Sequence, residues 1–306
     1  MKCLVLGGGG FIGSHLAQAL AQAGHRVRVF DRPRGRFLPL LERCEVVTGD
    51  FLRPQDMARA LEDIEAIFHL VCTTVPKSSN EDQAADVEAN VAGTLRLLDL
   101  CRSRGARRLV FASSGGTVYG VPRATPIDEA QPTQPISSYG IHKLMVEKYL
   151  HLNQVLHGLD YRVLRISNVY GERQRIETAQ GAVAVFLDRI RRGEALQIWG
   201  DGSAVRDYVY VGDVVQAFLK VLGHEGGERV FNIGSGAGVS LNRLLDEIAR
   251  VVGSRPAADY TPARRFDVPA NVLDASLARR VLGWQAATPL GEGLRRAWEW
   301  GRQSGL

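Results

Sequence analysis

Leu4-Val5-Leu6-Gly7-Gly8-Gly9-Gly10-Phe11-Ile12-Gly13-Ser14-His15 joins an apolar run to four consecutive glycines. Phe11, Ile12, Leu16, Ala19 and Leu20 then recur at helical spacing, and His25-Arg26-Val27-Arg28-Val29-Phe30-Asp31 alternates with period two. A secretory leader needs an unbroken apolar core, which the glycines interrupt. The pattern predicts strand, turn, helix and strand. Gly7, Gly10 and Gly13 form Gly-x-x-Gly-x-x-Gly at the first strand-to-helix turn, where a tight turn and a close pyrophosphate both exclude a Cβ. Amides opening the helix would face that anion, although glycine-rich turns also arise for steric reasons alone. Asp31 ends the second strand, where a carboxylate can accept hydrogen bonds from an adenosine ribose or simply stand in a solvated turn. Its charge favours NAD over a 2′-phosphorylated cofactor, while Arg32, Arg34 and Arg36 leave NADP open. Asp50, in Thr48-Gly49-Asp50-Phe51, suits the adenine end or an ordinary turn equally well.

The strand pattern repeats in CEVVTGD (44–50), EAIFHLVC (65–72), ARRLVFASS (106–114) and YRVLRIS (161–167). Helical segments near 54–62, 81–104 and 138–157 lie between. Regular alternation predicts an α/β fold with a Rossmann-type doubly wound parallel sheet, its ligands at the carboxyl ends of the strands. Residues 1–170 form the expected dinucleotide-binding domain. Beyond about residue 170 shorter pieces are separated by glycines and prolines. This predicts that 171–306 form mainly a smaller C-terminal α/β substrate-binding lobe, with some segments returning to the first domain.

A chain of 306 residues with 45% hydrophobic content can bury a large core. No apolar run approaches the roughly 18 residues of a membrane span, so a cytoplasmic protein with no membrane partner is expected. Cys3, Cys44, Cys72 and Cys101 are too scattered for a disulfide framework or a zinc site and read as reduced, mostly packed thiols. No metal is expected. The net charge of +5 is dispersed, which suits an anionic small molecule better than a nucleic acid.

Tyr139-Gly140-Ile141-His142-Lys143 places a phenol and an ammonium four residues apart, on one helix face. A phenol titrates near 10, and an adjacent ammonium together with a cationic nicotinamide would favour its phenolate. Tyr139 could then exchange a proton with a substrate hydroxyl. Alone, a Tyr and a Lys at this spacing are more often surface residues; following a dinucleotide turn they form a catalytic pair.

With these residues in place the sequence resembles the extended short-chain dehydrogenase/reductases, in the NAD-dependent branch of the UDP-galactose 4-epimerases and nucleotide-sugar dehydratases. GGGGFIGSH, FHLV, NVAGT, SSGGTVYG, SSYGIHK, LRISNVYG, WGDGSAVRDYVYVGDV, FNIGSG and LARRVLGW occur in that family's order across nearly the whole chain. The resemblance implies an NAD site formed by Gly7, Gly10, Phe11, Ile12 and Gly13, with Asp31, Asp50 and Phe51 toward the adenosine. Leu70, Val71, Asn90 and Ser113, with Tyr139 and Lys143, would complete it. It implies that Asn168 meets the substrate diphosphate, that Arg206 and Arg264 pair with its phosphates, and that Trp199 lines the base pocket unless it belongs to the core. His69 and His142 read as cofactor-shell or helix-surface residues without a catalytic part. A homodimer would form through helices 81–104 and 138–157.

One position departs from the family. Relatives carry Ser or Thr four residues before the tyrosine of VYG, and here that position is Gly115. Ser114 or Thr117 could supply the missing hydroxyl. Gly116 and Thr117 stand where dehydratases resemble an Asp-Glu pair, so dehydration lacks its acid and base. The expected activity is therefore epimerisation of a nucleotide sugar at C4 of a UDP-hexose. A 4-keto-sugar reductase and a non-catalytic dinucleotide sensor are the alternatives. The position four residues after Asp267 lines the pocket beside the sugar's C2 substituent in the resembling epimerases. Here it is Asn271, small enough to admit an N-acetyl group, though it could equally cap a helix near Asp274 or turn the chain.

Overall fold

Strand β1 (Lys2–Leu6) is buried on both faces: Cys3 and Val5 join one core, Leu4 and Leu6 the other. Side chains alternate across a strand, so a continuous apolar run fits only a sheet covered on both sides. The structure, a computed structural model, describes residues 1–74, 76–106, 108–174, 181–262 and 268–304. Around β1 stand β2 (Arg26–Asp31), β3 (Glu45–Thr48), β4 (Ala66–His69), β5 (Arg108–Ser114) and β6 (Asp160–Ile166). The later strands are β7 (Asn168–Tyr170), β8 (Leu196–Trp199), β9 (Val205–Tyr210), β10 (Val230–Ile233), β11 (Gly238–Ser240), β12 (Ala258–Thr261) and β13 (Ala270–Asn271). Among the described residues the main sheet runs β10-β6-β5-β4-β1-β2-β3, all parallel. The strand order reverses between β1 and β4, which opens a crevice above their carboxyl ends.

Helices Phe11–Gln22 and Val211–Leu222 cover one face, the latter through Val214, Val215 and Phe218. Helices Pro54–Ala60, Gly93–Arg104 and Ser138–His157 cover the other, burying Met57, Leu97, Leu98, Val146 and Leu150. The chain after residue 170 thus contributes to both parts of the molecule, since helix Val211–Leu222 and β10 belong to the main sheet. Its remainder forms a four-stranded sheet, in which β9 pairs with β11, β13 and β7, and a β8–β12 pair. A separate core holds these pieces together through Phe186, Leu187, Leu244, Ile248 and Leu294.

Two helical expectations are refined. Helix 54–62 ends at Ala60, where the buried Arg28 guanidinium takes the carbonyls of Ala60 (3.0 Å) and Glu62 (2.9 Å). The segment 81–104 is not one regular helix. Asp82 caps a new turn by accepting from Ala85 N, and residues Val87–Ala92 are π-helical before the regular helix resumes at Gly93. Asn90 Nδ2 donates to the Asp86 carbonyl that the Asn90 amide would use in a regular helix. Helix Ser138–His157 matches its expected limits, with Ser137 Oγ capping Gly140 N and Gly158 closing it at φ +70°.

Candidate active site

The glycine turn is a cradle of backbone. Gly7 adopts φ +81° and donates to Phe30 O at 2.9 Å, and a Cβ there would stand 3.2 Å from Val71 N. A Cβ on Gly13 would come within 2.2 Å of Gly7 O. Helix Phe11–Gln22 opens at Gly10 with no side-chain cap and no acidic residue in its first turn. The amides of Phe11, Ile12 and Gly13 therefore remain available to an anion. Asp31 sits beside them, its carboxylate accepting from Gly9 N (2.8 Å) and Arg32 N (2.7 Å) with lone pairs to spare. A Cβ-free turn, uncapped amides and a fixed carboxylate together fit a dinucleotide.

The other expected cofactor residues occupy varied places. Leu70 and Val71 press their backbone against Gly7. Asn90 Oδ1 accepts from Thr73 N at 3.0 Å and so ties the loop after β4 to the π-helical turn. Asp50 is exposed and turns its own loop by accepting from Leu52 N, while Phe51 is buried against His69. The Ser113 hydroxyl is committed to Glu147 at 2.5 Å. Glu147 also pairs with Arg165, which donates to Tyr119 OH at 2.9 Å, so a buried polar network lies beneath the site.

Tyr139 and Lys143 face the carboxyl end of β5 from the first turns of their helix. Lys143 Nζ donates to Ala112 O at 3.0 Å and lies 5.6 Å from the centre of the Tyr139 ring. Burial first, and then the acidic neighbours Cys72 and Asp86, push the Tyr139 phenol well above its ordinary value. Of the two expectations for His69 and His142, cofactor shell or helix surface, the helix-surface one is corrected. Both are buried: His69 is wedged between Phe51 and Phe111, and His142 meets Tyr139 edge to face at 5.0 Å. Burial, followed by the Lys143 charge, lowers His69 to about 3 and His142 to about 4. His142 Nδ1 faces the Asp86 carboxylate at 2.9 Å, and Nε2 faces Cys72 Sγ at 3.7 Å. This grouping escaped the sequence because its members lie up to 70 residues apart, and no local spacing signals it.

Gly115 has no vacancy beside it. A Cβ there would meet Leu273 Cδ1 at 2.5 Å, so an isobutyl group fills the place of the family's Ser or Thr. Ser114 is half-buried on one side of it, and Thr117 Oγ1 is buried with no partner among the described residues. Asn271 is 2% exposed and donates to Gly115 O at 3.2 Å, with its Oδ1 likewise unpartnered among the described residues. It sits in β13 and caps no helix; Asp274 accepts from Ser276 N instead. Asn168 Nδ2 donates to Asp207 O, and Arg206 Nη1 to Val205 O and Val268 O. Trp199 is 40% exposed at the end of β8, so it is not a core side chain. Arg264 and Asp267 lie outside the described residues.

Residues 3–234 match the family described as the NAD dependent epimerase/dehydratase family. The chain belongs to that family. This member is 39% identical over 310 residues, covering 99% of both chains, to the UDP-glucose 4-epimerase of Mycolicibacterium smegmatis. It superposes on the crystal structure of Thermotoga maritima UDP-glucose 4-epimerase with UDP-glucose at a TM-score of 0.95, with 37% identity and full coverage of both chains. It is also 33% identical, over 95% of its length and 94% of the relative's, to a dTDP-4-dehydro-6-deoxyglucose reductase of Escherichia coli. Among the described residues no helix is long and apolar enough to cross a membrane.

Proposed function

We propose that this protein is an NAD-dependent nucleotide-sugar epimerase that inverts C4 of a UDP-hexose, interconverting UDP-glucose and UDP-galactose. The observation that carries the reading is the convergence of Tyr139, Lys143 and Ala112 at the carboxyl end of β5, in a family member similar over its whole length to UDP-glucose 4-epimerases. NAD, when bound, supplies a reversible hydride acceptor and a positively charged ring, so inversion leaves no net redox change. Tyr139 takes the proton of the C4 hydroxyl and later returns it. Lys143 holds a positive charge beside the phenol, and Ser114 or Thr117 orients the sugar oxygen. The half built on β9 is proposed to hold the nucleotide sugar, with Asn168, Arg206 and Arg264 toward its phosphates and Trp199 toward the base. Purified protein incubated with UDP-galactose and no added cofactor should form UDP-glucose catalytically. A requirement for one equivalent of NADH or NADPH per turnover overturns the proposal.

That outcome would favour a 4-keto-sugar reductase, which the similarity to the Escherichia coli reductase and the absent hydroxyl at Gly115 support. For an epimerase, UDP-N-acetylglucosamine is a further candidate substrate, since residue 271 is an asparagine and not a bulky aromatic. A homodimer is supported by helix Ser138–His157, which exposes Ile141, Leu152, Val155 and Leu156. Light scattering should give twice the chain mass, and Val155→Glu should halve it. The four free thiols support a cytoplasmic location.

A further inference from the structure

A cavity of about 490 Å³ opens at the end of the main sheet opposite the crevice. Its wall gathers Arg108, which begins β5, Asp160 and Arg162, which lie at the start of β6, and Arg229, which precedes β10. Lys143 meets β5 at Ala112, roughly 13 Å further along the strand. Neither the cofactor nor the sugar reading uses the cavity.

Three guanidiniums share one carboxylate there. Asp160 Oδ2 accepts from Arg108 Nε at 2.6 Å, and Oδ1 accepts from Arg229 Nη1 at 3.0 Å and from Arg162 Nη1. The remaining bonds go to neutral carbonyls: Arg108 to Leu222 O, Arg162 to Tyr161 O (2.8 Å) and His224 O (2.6 Å), and Arg229 to Gly226 O (3.3 Å). Carbonyls satisfy N–H groups but cancel no charge, and a guanidinium cannot release its proton. Nor is water at hand for Arg162, whose side chain is 1% exposed. The second acid on the wall, Glu225, is exposed and forms no ion pair with the three. Donors are left over as well. Among the described residues the Nε atoms of Arg162 and Arg229 are buried without a partner, and the Nη2 atoms of Arg108 and Arg229 have none either. A strap for the chain between helix Val211–Leu222 and β10 explains the carbonyl bonds but not the surplus charge. Like charges around one cavity repel, and an anion seated among them removes that cost while taking the spare N–H groups.

We propose that this cavity binds a small phosphomonoester, whose phosphate is held by Arg108 and Arg229 with Arg162 behind them. Paired guanidinium forks suit a doubly charged oxyanion. The volume is larger than a bare phosphate fills and falls in the range of small-molecule sites, so the phosphate carries an organic body. Helix Ser138–His157 lines the cavity through Gln154, which points away from Leu152, Val155 and Leu156, so the proposed dimer leaves the cavity open. The site is independent of the reaction proposed above.

The test is a thermal-shift titration of the whole protein at constant ionic strength, with NAD and UDP saturating so that the crevice does not contribute. Glucose 6-phosphate, as a phosphomonoester probe, should raise the melting temperature saturably and bind more tightly than inorganic phosphate. Equal affinity for the two overturns the organic body and upholds the anion site. No shift from either, or the same shift from chloride, overturns the site itself. Gln154→Glu puts a negative charge on the wall without touching an arginine bond and should weaken binding by about 3-fold, while Glu225→Gln should strengthen it by a similar factor. Affinities that ignore both substitutions put the phosphate elsewhere and overturn the proposal. Arg229→Gln should abolish the shift; should that variant not fold, the two wall substitutions decide.

Discussion

Glycine marks both the dinucleotide turn and the carboxyl end of β5, but for different reasons. At Gly13 the space that a side chain would need is already taken by the backbone oxygen of Gly7. At Gly115 it is taken mainly by Leu273, a side chain from far along the chain, with the Arg165 carbonyl 3.0 Å away. Backbone cannot retreat without unmaking the strand-to-helix turn, whereas a leucine side chain can be shortened or can change rotamer. A missing side chain therefore signals a ligand cradle in the first place and a repacked wall in the second.

The largest effect is expected at the turn. Gly13→Val should abolish retention of NAD and lower the melting temperature sharply, because overpacking against fixed backbone costs about 1–3 kcal/mol or more. Thermal denaturation, together with the absorbance at 260 nm released from denatured protein, measures both. A variant that melts like wild type and still carries its nucleotide breaks the comparison.

Next in size is Tyr139→Phe, which should reduce turnover by roughly 100-fold while leaving folding and NAD content unchanged. Ser114→Ala and Thr117→Ala, assayed beside it, identify which hydroxyl serves in place of the one Gly115 lacks. Retention of most activity in Tyr139→Phe would remove the phenol from the proton route.

Acidification probes the wall behind Tyr139. His69 and His142 are held neutral in the fold, lowered to about 3 and about 4, whereas in an unfolded chain both return to about 6.5. The unfolded state therefore binds protons first. The stability due to neutral burial is complete above about pH 6.5 and is lost as pH falls toward 4, by at most ~1.4 kcal/mol per pH unit for each histidine. Melting temperature should fall between pH 7 and pH 5, and His69→Gln should flatten the slope. Identical slopes for variant and wild type would mean that other groups govern acid lability.

The smallest effect sharpens the contrast most. Gly115→Ser should lose about 1 kcal/mol against Leu273, and adding Leu273→Ala should recover much of it, a coupling typical of side chains in contact. Denaturant melts of the two single variants and the double variant give the cycle. Strict additivity would show that Leu273 does not occupy the hydroxyl's place. Asn271→Tyr is a poor probe of sugar choice by comparison, because residue 271 is buried and bonded to Gly115 O, so a ring there disturbs packing before it can gate a substrate.

The parallel sheet, the glycine turn, Asp31 and the Tyr139–Lys143 helix were legible in the amino-acid order because each is a local pattern. Strand and helix periods and a four-residue spacing operate within a few neighbours along the chain. The break in the segment 81–104 was not legible, because a side-chain bond from Asn90 to the Asp86 carbonyl competes with the backbone ladder there. Nor was the environment of Tyr139. The spacing places an ammonium beside the phenol, but it does not show the burial that, with Cys72 and Asp86 as neighbours, pushes the phenol up. Leu273 beside Gly115, and His142 between Asp86 and Cys72, join residues from separate strands and helices. Sequence determines what each segment tends to become. Only packing decides which distant groups share the same low-dielectric space, and there distance and desolvation, not order along the chain, set charge and reactivity.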